Sequence, residues 1–130
     1  VRRQRQMCIR DRVNNVIQTK SYAFAIRIVN AYKFLIDSKK EYVLTKQVLR
    51  SGTAIGALVA EAHYAQSSAD FVSKMSIALK EANETCYWLN LLKDTDYLEQ
   101  QAYDSLSADC NELVALLVSI VKSVKSSMTK

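Results

Sequence analysis

The residues of this chain that could do chemistry are one histidine, three cysteines and a pair of carboxylates at helical spacing. A di-metal carboxylate site in a helical bundle needs Glu-x-x-His on two helices and a glutamate on each of the others. His63 stands three positions after Ala60, and Glu81-x-x-Glu84 has no histidine partner. The sequence therefore argues against a ferritin-like metal site, and a histidine beside Tyr64 near a helix end is typical of a solvated residue rather than a haem ligand.

The cysteines do not predict catalysis either. Cys8, Cys86 and Cys110 form no C-x-x-C pair. Cys86 and Cys110 fall on apolar helical stripes, where a free cysteine acts as a small hydrophobe. A nucleophile needs a neighbouring base, no histidine is expected near Cys86, and no glycine-rich loop is present to hold a phosphate. We predict a protein that is not an enzyme, has no cofactor or metal, and works in a reducing, cytoplasmic compartment.

The net charge of +5 is distributed unevenly. Residues 1–12 contain five arginines and one aspartate, a net of +4, which leaves +1 for residues 13–130. The leader 1–12 lacks helical periodicity and the apolar stretch of a secretory signal, and it resembles translated sequencing-adapter DNA. We predict a non-native leader, with a phosphate-binding basic arm as the alternative, and one domain over 13–130. No apolar run approaches the ~20 residues of a membrane span.

Turn-forming residues are rare, because the chain has no proline and two glycines. Strand-and-turn folds need such residues at every reversal, so long helices are the remaining choice. Hydrophobic periodicity predicts four helices, at roughly 17–37, 42–66, 67–93 and 99–127. Short polar links between them favour antiparallel neighbours, and the predicted fold is an all-α, up-down-up-down four-helix bundle.

Two apolar faces are predicted on several of these helices. On the first helix the inner face is expected to contain Tyr22, Ala25, Val29, Tyr32 and Ile36. Further apolar residues lie off the inner faces of the first, third and fourth helices: Phe24, Ile28, Leu35, Tyr87, Trp88, Leu91, Val114, Val118 and Val121. Because a monomeric bundle needs about one apolar stripe per helix, the second faces predict an oligomer. Scattered surface apolar residues are the alternative.

The hairpin of the second and third helices allows a prediction of register. Ser67 is expected to cap the third helix, with Asp70 at the third helical position. If the turn is centred near Ser67, Arg50 lies level with Glu84. We therefore predict an ion pair between these two side chains.

The same register makes a prediction for the two glycines. Gly52 would face Ala82, and Gly56 would face Ala78. Each glycine costs ~1 kcal/mol relative to alanine inside a helix, so two at this spacing indicate that another backbone passes close by. We predict that the second and third helices are in close contact there.

A basic bias on the first three helices keeps nucleic-acid binding open. Acidic residues concentrate later in the chain, and in a symmetric ring a basic face would repeat so that its field adds. An ordinary solvated surface explains the same bias for a single chain. The candidate nucleic-acid-binding residues are Lys20, Arg27, Lys33, Lys46 and Lys74.

Two sequence blocks resemble a known family. The first is Leu49–Ala57 followed by Val59–Ala62, and the second joins Asp70-Phe71, Ile77–Thr85 and Tyr87–Leu89. Over roughly residues 14–127 the chain resembles the four-helix bundle proteins named after 23S ribosomal RNA intervening sequences. A relative in the same fold group is the accessory variability determinant of diversity-generating retroelements.

The resemblance implies a homopentameric, barrel-like assembly and, in the retroelement relatives, a basic surface that contacts nucleic acid and a reverse transcriptase. The positions that carry the family signature are Arg50, Gly52, Gly56, Glu61, Lys80, Glu81, Glu84 and Trp88. Its charged members are interpreted as an internal ion-pair network, with direct ligand contact as the alternative. Two functions stay open: a nucleic-acid-associated accessory factor and a protein-binding oligomeric scaffold.

Overall fold

The computed structural model describes the backbone of residues 2–128 and the side chains of residues 15–128. This part of the chain forms four helices and no strands. The helices are α1 (Arg2–Lys39), α2 (Leu44–His63), α3 (Ser68–Asp94) and α4 (Gln100–Met128). The predicted all-α fold and helix number are therefore confirmed.

α1 begins at Arg2, well before the predicted start near residue 17. Arginine and glutamine are good helix formers, so a segment without apolar periodicity can still extend a helix that is stabilised further along. The phosphate-binding arm considered for residues 1–12 concerns side chains outside the described residues. A domain boundary after residue 12 stays a prediction.

The helices form a square bundle in chain order. α2 packs against both α1 and α3, and α3 packs against α4, whereas α1 and α4 touch over far fewer residues. Diagonal helices have no Cα atoms within 8 Å of each other in the described part. Links of four or five residues join the helices, so each runs antiparallel to the preceding one, and the α1–α4 seam is the most open.

The core lies between the four helices and includes apolar residues that recur at steps of four and three along α3 and α4. On α3 these residues are buried except for Cys86, which is partly buried: Phe71, Met75, Ala78, Ala82, Cys86, Leu89 and Leu92. Leu113 and Leu117 of α4 are almost completely buried, as are Ile55 of α2 and Leu89 of α3. Burial of one such side chain stabilises the fold by about 1.5–3 kcal/mol.

The predicted inner face of α1 is wrong. Phe24 and Ile28 are buried, whereas Tyr22 is 70% exposed; Ala25, Val29, Tyr32 and Ile36 are only partly buried. Because both faces of α1 are apolar, periodicity alone could not choose between them. The face with Ile17, Phe24, Ile28 and Leu35 is selected because it packs on α2 and the core.

The predicted partner of the glycines is also wrong. A Cβ atom at Gly52 would lie 2.8 Å from Ile28 Cγ1, and one at Gly56 would lie 3.3 Å from the carbonyl oxygen of Ser21. Both neighbours belong to α1, whereas the prediction placed Ala82 and Ala78 of α3 opposite the glycines. The close approach that the glycines allow is therefore between α1 and α2.

The helix cap at Ser67 confirms one prediction, whereas a second cap, formed by Glu41, was not predicted. Ser67 Oγ accepts a hydrogen bond from the Asp70 amide at 3.0 Å, as predicted. Before α2, the buried carboxylate of Glu41 accepts hydrogen bonds from the amides of Val43, Leu44 and Thr45 at 3.1, 3.0 and 2.7 Å. It also accepts a hydrogen bond from the Thr45 hydroxyl at 2.6 Å. Glu41 thus satisfies three amides at the start of α2 that have no partner within the helix.

Candidate nucleic-acid interface and interhelical polar network

Three of the five candidate nucleic-acid-binding side chains form ion pairs within the chain. Lys20 Nζ lies 2.8 Å from Glu112 Oε1, and Lys74 Nζ lies 3.3 Å from Glu61 Oε2. The hydrogen bond to Glu112 and the charge of its carboxylate raise the pKa of Lys20. The Lys20 and Lys74 ammonium groups are therefore already balanced by local carboxylates, which weakens their attraction for phosphate.

Arg27 is held most completely. Its Nη1 lies 2.5 Å from Asp109 Oδ2 and 3.3 Å from the Ser105 carbonyl oxygen, and its Nη2 donates to Ser105 Oγ at 2.8 Å. These bonds tie α1 to α4 across the open seam. The guanidinium of Arg27 therefore links two helices. Several of its hydrogen-bond donors are already used within the chain, which leaves fewer of them for a phosphate.

Lys33 and Lys46 are different. Both are exposed, and neither has a carboxylate within 4.0 Å among the described residues. Lys39 and Lys40 are also exposed and lie between them in sequence, around the link from α1 to α2. We call Lys33, Lys39, Lys40 and Lys46 the lysine cluster. Lys33 and Lys46 are the two predicted nucleic-acid-binding residues that stay unpaired in the described part of the chain, whereas Lys39 and Lys40 were not among those predicted.

The α2–α3 hairpin contains the predicted ion pair. Arg50 forms an ion pair with Glu84, and its Nη1 lies 3.2 Å from Glu81 Oε2. Trp88 Nε1 donates a hydrogen bond to Glu84 Oε2 at 2.9 Å. One residue further along, Thr85 Oγ1 donates to Ser51 Oγ at 2.9 Å in a buried position. The predicted register of the hairpin is confirmed by these contacts.

This network joins helices to each other. Arg50, Glu81, Glu84 and Trp88 make their contacts within the network, and Glu61 contacts Lys74. Lys80 is exposed and forms no ion pair in the described part of the chain. The geometry favours an internal network over direct ligand contact for the charged signature residues other than Lys80.

A double-mutant cycle tests the Arg50–Glu84 pair. Arg50→Met, Glu84→Gln and the double variant should show a coupling energy of about 0.5–1 kcal/mol, a modest value because both side chains are partly exposed. Urea denaturation supplies the free energies of unfolding. The matched control is Lys46→Met, one helical turn away and unpaired, which should be additive with Glu84→Gln. Additive Arg50 and Glu84 variants would contradict the pairing.

Between Tyr22 and Ile36, the side of α1 that faces away from the core is largely apolar. Tyr22 and Ile26 are 70% and 49% exposed, and Val29 and Ile36 are partly buried. Steps of four and three residues place them on one side of the helix, with Lys33 between them. We call Tyr22, Ile26, Val29, Lys33 and Ile36 the outer α1 face.

A groove adjoins this face along the α1–α4 seam. It has a volume of about 550 Å³, and Phe34, which is 49% exposed, forms one wall. Ala31 and Leu106 also line it, and Arg27 lies at its edge. The exposed apolar surface thus extends from the outer α1 face toward α4.

Within residues 15–128, no three histidine, cysteine, aspartate or glutamate side chains are grouped so that they could hold a metal ion. None of the four helices, over the residues described, is long and apolar enough to cross a bilayer. The arrangement offers interhelical salt bridges, an apolar outer surface and a lysine cluster.

These features define a class: an all-α antiparallel four-helix bundle whose helices are linked by ion pairs. Residues 13–119 match the family model described as 23S rRNA-intervening sequence protein, and the chain belongs to this family. A solved structure from Bacteroides thetaiotaomicron, a protein of unknown function from the S23 ribosomal protein family, is 55% identical with a TM-score of 0.83. The match covers 85% of this chain and 98% of that one. No curated protein matches.

Proposed function

We propose that this protein is a non-enzymatic, self-associating scaffold that uses the outer α1 face to bind further copies of itself. The observation that carries the proposal is the exposure of Tyr22 and Ile26 on a helix whose opposite face already fills the core. A helix that packs against its neighbours on a single side needs a single apolar stripe. The second stripe is explained if another protein surface covers it.

The distribution of charge supports contact between copies. The lysine cluster surrounds the α1–α2 link, whereas Asp94, Asp96 and Glu99 surround the α3–α4 link, and all three acidic side chains are exposed. A basic region on one copy can therefore face an acidic region on the next, which is the arrangement that fixes orientation in an assembly. A closed ring of five copies, as the family resemblance implies, would use one such contact repeatedly.

Charge introduced into the outer α1 face tests the proposal. Tyr22→Glu/Ile26→Glu should reduce the mass in solution from a closed oligomer, five times the 14.7 kDa chain for the expected pentamer, to the mass of one chain. The reason is that association would bury two carboxylates without partners. Light scattering after size-exclusion chromatography measures the mass, and circular dichroism checks that the helices persist.

Ile77→Glu is the matched control, since Ile77 is 41% exposed and lies on α3, the helix diagonal to α1 in the bundle. It should leave the oligomer intact. A parent protein that runs as a single chain at micromolar concentration would contradict self-association, and an oligomer unaffected by the double variant would place the interface elsewhere.

The lysine cluster favours a second candidate function, weak binding of RNA or DNA. Phosphate contacts release counterions, so affinity should fall steeply between about 50 and 200 mM salt. Lys33→Gln/Lys46→Gln should weaken binding and reduce its salt dependence, whereas Lys20→Gln, which removes a cation already paired with Glu112, should have a smaller effect. A reverse transcriptase, the partner that the resemblance implies, would be a further protein partner of such an accessory factor.

Fluorescence anisotropy on labelled single- and double-stranded oligonucleotides measures this binding, with chains 1–130 and 13–130 compared. Binding that needs residues 1–12 would assign it to the arginine-rich leader. If the shorter chain binds neither oligonucleotide at low salt, the lysine cluster does not serve nucleic acid and the scaffold function stands alone.

A further inference from the structure

Two cysteines that sequence spacing left unrelated lie side by side in the fold. Cys86 is on α3 and Cys110 is on α4, and their Sγ atoms are 2.8 Å apart, although both are free thiols. Cys110 Sγ also lies 3.2 Å from the carbonyl oxygen of Ala82, and Cys86 Sγ lies 3.6 Å from Asn111 Oδ1. The two sulfur atoms thus face each other across the α3–α4 seam.

We propose that Cys86 and Cys110 are an oxidisable thiol pair that closes into a disulfide between α3 and α4 when the protein meets a peroxide. Their sulfur atoms are already adjacent, so bond formation requires a movement of under about 1 Å to reach the ordinary S–S length of roughly 2.05 Å. Both cysteines are held by long helices, which keep the pair together in the folded chain.

The two thiols differ in exposure, and this difference gives each a role. Cys86 is half-buried and can be reached from solvent, whereas Cys110 is completely buried. The hydrogen bond between the two thiols lowers the pKa of Cys86 and outweighs the opposing effect of burial. The same contact, together with burial, raises the pKa of Cys110. Cys86 is therefore the thiol that reacts first, because the thiolate is the nucleophile.

The reaction proceeds in two balanced steps. The Cys86 thiolate attacks one oxygen of hydrogen peroxide, the O–O bond breaks, and the products are a sulfenic acid on Cys86 and a hydroxide ion that takes up a proton to give water. Cys110 Sγ then attacks Cys86 Sγ and displaces the sulfenic hydroxyl, which leaves as water with the proton of the Cys110 thiol. Overall, two thiols and one peroxide give one disulfide and two water molecules.

A Cys86–Cys110 disulfide would link helices that are now joined by the 95–99 segment and by packing. The two cysteines are 24 positions apart, and closing a loop of this length restricts the unfolded chain. We expect the melting temperature of the oxidised protein to rise by about 10 °C. The bond would fix α3 against α4 and leave the outer α1 face untouched.

The experiment uses the full chain with Cys8→Ser, so that the third cysteine cannot react. After treatment with hydrogen peroxide, intact mass should show the loss of two hydrogen atoms, and non-reducing peptide mapping should join the Cys86 and Cys110 peptides. The melting temperature should rise, and dithiothreitol should reverse both changes. Cys86→Ser, a change at a half-buried position, should abolish both responses while circular dichroism shows an intact fold.

Cys110→Ser separates the two roles. In this variant the Cys86 sulfenic acid has no intramolecular thiol partner, so dimedone should trap it, whereas the parent with both cysteines should give little adduct. Three results would overturn the proposal: both thiols remain alkylatable after peroxide, Cys86 proceeds to sulfinic acid with Cys110 present, or the only disulfide formed joins separate chains.

Discussion

Gly52→Leu is expected to destabilise the protein by about 3 kcal/mol, because overpacking at a closely packed position costs at least 1–3 kcal/mol. Even a Cβ atom at this position would lie 2.8 and 2.9 Å from the two γ-carbons of Ile28. Ile28 is completely buried and branches at Cβ, so its side chain cannot turn away without entering another rotamer. α1 and α2 would have to separate. Urea denaturation measures the loss.

Two companion variants make this result specific. Ala57→Leu adds the same side chain at an exposed position of the same helix, and it should leave the free energy of unfolding within about 0.5 kcal/mol of the parent. Ile28→Ala combined with Gly52→Ala should be less destabilising than the sum of the two single changes, since the smaller partner leaves room for the new methyl group. A Gly52→Leu protein that melts like the parent would contradict the contact between α1 and α2.

The second large loss of stability is expected from a substitution at Glu41. Glu41→Ala should reduce the free energy of unfolding by about 2–3 kcal/mol, because it removes the acceptor of four hydrogen bonds at the start of α2. Thr45 is completely buried, so its amide and hydroxyl would lose their partner where water cannot easily replace it. Thermal and urea denaturation both report the change.

The Glu41 cap also predicts a pH dependence. Burial raises the pKa of this carboxyl group, but the Thr45 hydroxyl and the three backbone amides together outweigh it and lower the pKa below the ordinary 4.5. Because the folded-state pKa is the lower one, the contribution of Glu41 is fully present above the unfolded-state pKa and is lost as the pH falls through the folded-state pKa. The stability gap between the parent and Glu41→Gln should therefore narrow below about pH 4.5.

Glu99→Gln provides the comparison for this titration, since Glu99 is an exposed carboxylate in the other link at the same end of the bundle. Its effect on unfolding should be small at neutral pH. A gap between the parent and Glu41→Gln that stays constant from neutral to acid pH would show that the carboxylate charge does not stabilise α2.

Local patterns determined the elements of this fold and one of its interfaces. The scarcity of turn-forming residues and the repeated apolar spacing predicted four helices in an antiparallel bundle, and the structure has them. The register of α2 and α3 was also predictable, because a link of four residues leaves two antiparallel helices little freedom to slide. Once Ser67 was recognised as the cap, the position of Glu84 beside Arg50 followed from the rise of the helix.

Tertiary structure alone decided which of two apolar faces of α1 is buried, and with it the partner of the glycines. Tyr22 and Ile28 lie on faces that are equally apolar by type, and the fit of Ile28 against Gly52 selects between them. That fit depends on atomic shape, which hydrophobic periodicity does not contain. The choice leaves Tyr22 outside, so the surface proposed for self-association could not be located from the pattern.

Tertiary structure alone also decided the contacts between residues that are distant in sequence. Lys20 and Arg27 were predicted to attract phosphate, but Glu112 and Asp109 of α4 lie against them. Cys86 and Cys110 have no sequence relation, yet the rotation of α3 and α4 about their axes brings their sulfur atoms together. Sequence determines which side chains share a helix face, whereas the relative rotation and offset of packed helices determine which faces meet. That rotation and offset are set by how all the core side chains fit at once.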